Sequence, residues 1–147
     1  RMGGEVTETE GLVERTTLGG FDDASETVIL RGKLLIEPNA IPDLKVGLSF
    51  THDDREFGET IALFTIDDAN DNRQIPSNRP YRDDTVYDLA VAKIDYDIND
   101  QFSISSITTF SELDRDRGGD SDRTAEDLEF FDSTITTDSF TQEFLLN

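Results

Sequence analysis

The sequence lacks cysteine and tryptophan, and it has one histidine and one methionine. Without cysteine, disulfide bridges, thiolate chemistry and cysteine-based zinc sites are excluded. A single histidine does not supply the converging ligands that a metal site needs. The absence of tryptophan also removes the largest aromatic platform on which a sugar ring could stack.

Long apolar runs and known catalytic motifs are missing as well. No segment approaches the roughly 18 apolar residues of a transmembrane helix, and no signal peptide is visible at Arg1. We therefore expect either a cytosolic protein or an internal piece of a longer one. The chain contains no P-loop, no Gly-x-Ser-x-Gly and no dinucleotide fingerprint, and nothing selects a pair of glycosidase carboxylates. We name no catalytic, cofactor-binding or metal-ligating residue, and we do not expect an enzyme or a cofactor.

Basic residues are scarce, with 13 Lys and Arg against 33 Asp and Glu, for a formal net charge of -20. Such a surface repels phosphate backbones and anionic headgroups, so we expect neither nucleic-acid binding nor a polybasic membrane anchor. Excess charge mostly reports on solubility, but attraction of divalent cations or of a basic partner stays open.

The feature that is present is an alternation of apolar and polar residues with a period of two, clearest in residues 44–53. One side of this segment carries Leu44, Val46, Leu48 and Phe50, and the other carries Lys45, Gly47, Ser49, Thr51 and Asp53. Ten residues rise about 33 Å, and at a tilt of about 40° they cover about 25 Å, close to the apolar band of an outer-membrane barrel.

Similar segments predict further strands at 28–37, 87–97, 102–113 and 136–147, for about five in all. Ile29, Leu35 and Ile107 are out of phase with the alternation. Residues 1–27 are acidic and weakly periodic, and they read as the end of a strand followed by a surface loop.

The predicted connections alternate in length. They are short at 38–43, between Pro38 and Pro42, and at 98–101, which contains Asn99-Asp100, and long at 55–86 and 114–135. This rhythm is typical of an all-β, antiparallel up-and-down transmembrane β-barrel, with short periplasmic turns and long extracellular loops. Five strands do not close a barrel, so we expect the remaining wall to come from chain outside these 147 residues.

Three groups of short motifs, in this order and spacing, resemble the barrel of TonB-dependent outer-membrane receptors. The first group is GLVERTTLGG at 11–20 followed by LRGKL at 30–34. The second is SITTF at 106–110, with Phe110 in place of the more usual tyrosine. The third is FTQEFLL at 140–146, with Phe144 and Leu145 where Leu and Arg are common. The resemblance spans nearly the whole chain, so residues 1–147 are interpreted as part of one barrel domain.

The resemblance implies a barrel of about 22 strands that is plugged by an N-terminal domain. It implies TonB-dependent uptake of a scarce nutrient, such as a ferric siderophore, another metal chelate or a glycan, across the outer membrane of a Gram-negative bacterium. The implied partners are the TonB complex, through an N-terminal region absent here, the lipid bilayer and a small-molecule ligand. Residues expected to line the barrel interior are Lys45, Ser49, Thr51, Lys93, Asp95, Ser105 and Thr109. Ligand contacts are expected in the loops 55–86 and 114–135, where no individual residue is singled out.

Two polar features of the sequence can be compared with known metal sites. His52, beside Asp53-Asp54, is expected to be a polar residue at the outer end of its strand, since one strand end supplies no set of converging ligands. Residues 68–72 faintly resemble the start of a calcium-binding EF-hand loop. Arg73 stands where that loop needs Gly and Arg79 where it needs a bidentate Glu, so an EF-hand is rejected. Looser cation binding by the acidic loops, including a bridge to lipopolysaccharide, stays a hypothesis.

A second interpretation is a soluble, acidic all-β binding module, either adhesin-like or carbohydrate-binding. Aromatic residues such as Phe50, Tyr96 and Phe110 near strand ends suit both readings, because they can form a membrane girdle or fill a core. The two differ in where the apolar side chains point, toward lipid or toward a second layer of protein.

Overall fold

The computed structural model describes residues 1–58 and 72–147. In these ranges all regular structure is β, and no helix is present that could span a membrane. The eight strands are β1 (Met2–Thr9), β2 (Glu14–Arg15), β3 (Ser25–Ile36), β4 (Leu44–Phe57), β5 (Gln74–Ile75), β6 (Arg82–Asn99), β7 (Phe102–Asp120) and β8 (Phe130–Leu146).

Six strands form one antiparallel sheet in the order β1-β3-β4-β6-β7-β8. Each of these strands pairs with the next long strand along the chain, so the predicted all-β, antiparallel up-and-down connectivity is confirmed. The sheet is open, with β1 and β8 as its two edges. The short strands β2 and β5 form a separate parallel pair.

The number of strands differs from the prediction of about five. The segment expected to be a strand end and a loop contains all of β1, which pairs with β3 from Met2↔Gly32 to Thr9↔Ser25. β1 was missed because Met2 and Val6 are its only large apolar residues. Its backbone ladder forms regardless of how polar the side chains are.

The long connections are shorter than predicted. β4 continues to Phe57, β6 begins at Arg82, β7 ends at Asp120 and β8 begins at Phe130. The expected loops 55–86 and 114–135 therefore shrink to 58–81 and 121–129. The strand ends were missed because none of them alternates clearly in hydrophobicity; at the ends of β4 and β7 the sign of the charge alternates instead.

The alternation of long and short connections is confirmed. Residues 10–24, 58–81 and 121–129 connect strands at one end of the sheet, and residues 37–43 and 100–101 do so at the other. We call these the long-loop end and the short-turn end. At the tight turn, the Asn99 side chain accepts hydrogen bonds from the backbone N–H groups of Gln101 and Phe102. Asn99 and Asp100 do not use the positive φ that their residue types suggested.

Two faces follow from the register. Leu48 pairs with Leu34 and with Ala92, while Ser49 pairs with Val91 on the opposite side of the sheet. Since side chains alternate along each strand, every second residue shares one side. We call the two sides the Leu48 face and the Ser49 face.

Very little of the described protein is buried. Val13 and Ile75 are the only fully buried hydrophobic residues among those described, and both lie outside the six-stranded sheet. Large apolar side chains of the sheet are exposed, up to 89 % for Met2 in the edge strand β1 and 71 % for Phe144 in β8. Soluble monomers rarely leave a contiguous surface of this kind uncovered.

Candidate functional site

The short-turn half of the Leu48 face is an exposed apolar belt. Its rows run across neighbouring strands, and its members include Leu34, Leu48, Phe50, Ile94, Tyr96, Ile104, Phe110, Phe140, Phe144 and Leu146. On β6 the belt extends from Ala90 to Ile98, eight residue steps or about 26 Å along the strand. At a tilt of about 40° this covers about 20 Å, somewhat less than the apolar band of about 25 Å in outer-membrane barrels.

Three polar residues, Ser106, Thr108 and Gln142, interrupt the belt and hydrogen-bond to one another. Thr108 donates a hydrogen bond to Oε1 of Gln142 at 2.6 Å, and Nε2 of Gln142 donates to Oγ of Ser106 at 2.9 Å. Because the amide of Gln142 finds partners within the sheet, exposing it to an apolar medium costs less than exposing a free amide.

The long-loop half of the same face is acidic. Its cross-strand rows hold Glu8, Glu26, Glu56, Asp84 and Asp116 in one line and Asp88, Glu112 and Asp138 in another. Burial raises the pKa of Asp84, which lies beyond the apolar belt, and the negative charge of Asp116 acts in the same direction. The one Lys or Arg on these strands that shares this face is Arg82, which contacts Asp116 and Asp132 at 3.2 and 3.1 Å. We call this region the acidic band.

The Ser49 face carries most of the basic side chains of the sheet. They are Arg31, Lys33, Lys45, Arg55, Lys93, Arg115 and Arg117, seven of the 13 in the sequence. The Ser49 face also carries six Asp and Glu residues and is therefore close to neutral, whereas the Leu48 face is strongly acidic.

The residues predicted to line an interior share this face. Lys45, Asp95 and Ser105 lie in one cross-strand row, and Ser49 and Thr109 lie in another through Val91. Asp95 accepts a hydrogen bond from Ser105 at 2.6 Å and pairs with Lys93 at 3.0 Å. Thr51 lies on the same side of β4 as Lys45 and Ser49. The shared face is confirmed, while its exposure to a barrel interior stays a prediction.

Three arginines and two aspartates meet on the Ser49 face toward the long-loop end, and we call them the arginine cluster: Asp53, Arg55, Asp83, Arg115 and Arg117. Arg55 donates from Nε and Nη2 to the two carboxylate oxygens of Asp53. Arg115 makes the same two-pronged contact with Asp83, at 2.7 and 2.6 Å. Nε of Arg117 lies 3.2 Å from Asp83, and its Nη2 donates to the Tyr81 hydroxyl at 3.3 Å.

Exposure within the cluster is unequal. The side chains of Asp53 and Asp83 are each 12 % exposed, whereas those of Arg55, Arg115 and Arg117 are 42, 37 and 37 % exposed. The carboxylates thus lie beneath the guanidinium groups that they orient. The surface offered to solvent is positive, with three cations over two anions.

A concavity of about 350 Å³ opens at this cluster. Its lining residues are Asp53, Arg55, Phe57, Thr85, Tyr87 and Arg115. Charged groups, a hydroxyl and two aromatic rings therefore border one space.

The Asp83 carboxylate lies beyond the apolar belt and is held in its charged form. The hydrogen bonds from Arg115 lower its pKa below the ordinary value of 3.8, and the positive charges of Arg115 and Arg117 act in the same direction. Burial opposes this shift but is the smaller effect. The Asp83 carboxylate is therefore an anion paired with Arg115 at neutral pH.

The connections at the long-loop end are joined to one another. β2 pairs with β5, which links residues 10–24 to the segment after 72 and buries Val13 and Ile75. The Asp120 carboxylate accepts a hydrogen bond from the backbone N–H of Asn78 at 3.1 Å, which links that segment to the end of β7. Arg79 lies over the Phe130 ring at 3.8 Å from its centre. These contacts place Tyr81 beside the arginine cluster.

His52 does not lie at the outer end of its strand, because β4 continues to Phe57. It shares the acidic-band row of Asp88, Glu112 and Asp138, and its Nδ1 is 2.8 Å from Oδ1 of Asp88. Within residues 1–58 and 72–147 no group of three or more His, Asp and Glu side chains could hold a metal ion. Of the rejected EF-hand segment 68–72, only Asn72 belongs to the described residues.

The arginine cluster was missed because four of its five members fall where loops were predicted. A signal was present in Asp114-Arg115-Asp116-Arg117, where the sign of the charge alternates with a period of two. In a strand this pattern places both arginines on one face and both aspartates on the other. No family model, no curated protein and no solved structure matches this chain.

Proposed function

We propose that the chain is a section of the wall of a TonB-dependent outer-membrane receptor that imports a scarce nutrient, such as a ferric siderophore. The observation that carries the proposal is the exposed apolar belt on one face of a sequential antiparallel sheet whose other face is largely polar. Lipid on the belt and a hydrated interior on the Ser49 face would satisfy both surfaces.

The two open edges support the same proposal. An edge strand presents unpaired N–H and C=O groups, and β8 is 17 residues long. In a barrel wall these groups pair with the next strands, so that no edge remains. The strands that complete the wall would come from chain outside these residues.

The lengths of the connections support one orientation of the sheet in the membrane. The long-loop end carries the acidic band and would face outward, while the short-turn end would face the periplasm. Apolar residues of the Ser49 face, such as Leu89, Val91 and Ile107, would then be covered by the plug that the resemblance implies. TonB would act through the N-terminal region of the complete protein.

The soluble binding module is less well supported. It requires a second layer to cover the belt, and in the described residues no element packs against the Leu48 face.

A topology experiment tests the proposal. A short epitope is inserted in the complete protein either between Asp100 and Gln101, in the short turn, or between Arg123 and Thr124, in a long-loop connection. We expect antibody to label the second site on intact cells and the first only after the outer membrane is permeabilised. Labelling of both sites on intact cells, or recovery of the protein in the soluble fraction, would contradict the proposal.

A growth experiment tests the transport step. Deleting the complete gene should abolish growth on the one nutrient that the receptor imports, with ferric siderophores tried first, and deleting TonB should have the same effect. Nutrient-dependent growth that persists without TonB would contradict TonB-dependent uptake.

A further inference from the structure

The arginines of the cluster have more hydrogen-bond donors than their contacts with the aspartates use. Each guanidinium group has five N–H donors. Arg55 and Arg115 each use two sites on their aspartate, from Nε and Nη2. Their remaining donors are directed away from the carboxylates, on side chains that are about two-fifths exposed.

The charge balance of the cluster favours an anion. Three guanidinium groups over two carboxylates leave one uncompensated positive charge, and the carboxylates are the more buried partners. Nearby carboxylates of the acidic band lie on the opposite face of the sheet. A ligand that approaches the Ser49 face therefore meets the cations first.

The walls of the concavity select the rest of the ligand. The rings of Phe57 and Tyr87 offer flat apolar surfaces, and Thr85 adds a hydroxyl. The volume of about 350 Å³ is at the small end of the range for ligand pockets. It would hold a small molecule or one arm of a larger one.

We propose that the arginine cluster binds a small organic monoanion, an aromatic carboxylate whose planar carboxylate group pairs with Arg55 and Arg115 while its ring stacks on Tyr87. A planar carboxylate matches the fork of a guanidinium group. One negative charge neutralises the cluster, whereas a phosphate monoester, with a charge of about -1.5 to -2 at neutral pH, would overshoot it. This inference rests on the proposed function only for the side from which the ligand arrives, namely the barrel interior.

A binding experiment tests the proposal on the complete protein, purified in detergent, by ligand-observed NMR titration. Benzoate is the probe, benzamide is its uncharged counterpart of the same shape, and phenyl phosphate is the alternative anion. We expect benzoate to bind more tightly than either. Equal binding of benzamide, tighter binding of phenyl phosphate or no detectable benzoate binding would each overturn the proposal.

Substitutions locate the site. Arg55→Gln should weaken benzoate binding by about tenfold, the factor of one charge-assisted hydrogen bond. Arg82→Gln is the matched control, because the Arg82 side chain is 45 % exposed against 42 % for Arg55 and is also paired with aspartates, but lies on the Leu48 face. The affinity of Arg82→Gln for benzoate should equal that of the parent protein. An equal loss of affinity in both variants would show a general charge effect and overturn the proposal.

A second variant guards against misfolding. Arg55→Lys keeps the charge but loses the planar fork, so we expect a loss of affinity smaller than that of Arg55→Gln but still measurable. Unchanged benzoate affinity in Arg55→Lys would contradict the role of the fork. If the protein fails the topology experiment but binds benzoate, the transport proposal is wrong and the anion site stands. If the topology is as expected but benzoate does not bind, the anion site is wrong and the transport proposal stands.

Discussion

The orientation of the Leu48 face can be tested with one pair of neighbouring substitutions in β4, Leu48→Arg and Ser49→Arg. Leu48 lies near the middle of the apolar belt, with 41 % of its surface exposed, and its cross-strand partners are Leu34 and Ala92. Ser49 is the next residue on the same strand and points to the other face. The two variants add the same side chain at the same depth, so they differ only in the face that receives the charge.

The expected magnitudes follow from the medium on each side. An arginine on the lipid face of a β-barrel costs about 2–4 kcal/mol near the bilayer midplane. Removing Leu48 adds part of the transfer free energy of its side chain, which is about 1.5–3 kcal/mol for complete burial. Ser49→Arg places the charge in a hydrated interior, where we expect a cost within about 1 kcal/mol. The difference between the variants should be about 2 kcal/mol or more.

The measurement is the free energy of unfolding of the complete protein in lipid vesicles, from denaturant titration. The amount assembled in the outer membrane gives an independent readout in cells. Similar destabilisation by both substitutions would show that neither face meets lipid. A larger cost for Ser49→Arg would place lipid on the Ser49 face and refute the orientation proposed here.

Three further predictions test other parts of the structure. Ile75→Ala, at one of the two hydrophobic positions that are fully buried within residues 1–58 and 72–147, should destabilise the joined connections by about 2–4 kcal/mol, measured as faster amide hydrogen exchange there than in β6. Thr108→Val should lower the free energy of unfolding by about 1–3 kcal/mol if Gln142 faces lipid, because Oε1 of Gln142 loses its hydrogen-bond donor. Adding Gln142→Leu should recover most of that loss. If water surrounds Gln142 instead, a denaturant titration should show that both effects are small. Because the pKa of Asp83 is lowered in the folded protein, its pairing with Arg115 stabilises the fold above the ordinary pKa of 3.8 and loses that effect as the pH falls through the lowered value. The difference in unfolding free energy between the parent and Asp83→Asn should therefore shrink across that acidic range, and a difference that is constant with pH would contradict the pairing.

The sheet was predictable where hydrophobicity alternates and hidden where only charge does. Residues 44–50 carry a large apolar side chain at every second position, so the middle of β4 and its two faces followed from the sequence. The outer end of β7 has Asp114, Arg115, Asp116 and Arg117 in succession, which reads as a loop when only hydrophobicity is counted. Cross-strand ion pairs such as Arg115 with Asp83 take over the role of apolar contacts there.

The joined connections at the long-loop end were beyond sequence reasoning for another reason. β2 and β5 are two residues long each and are separated by nearly 60 positions. Nothing in either dipeptide indicates a partner, since the pairing depends on where the sheet brings the two connections. The burial of Val13 and Ile75 is a consequence of that placement.

The net charge of -20 suggested a surface that repels anions, but the charge is divided unevenly between the two faces of the sheet. Salt screens exposed charges over about 8 Å at physiological ionic strength, so an anion responds mainly to the face that it approaches. Alternation along the strands sends Asp114 and Asp116 to one face and Arg115 and Arg117 to the other. The same four residues therefore contribute to the acidic band and to the arginine cluster. A strand with alternating charge thus lets one strongly acidic chain present a positive surface to a ligand on one side only.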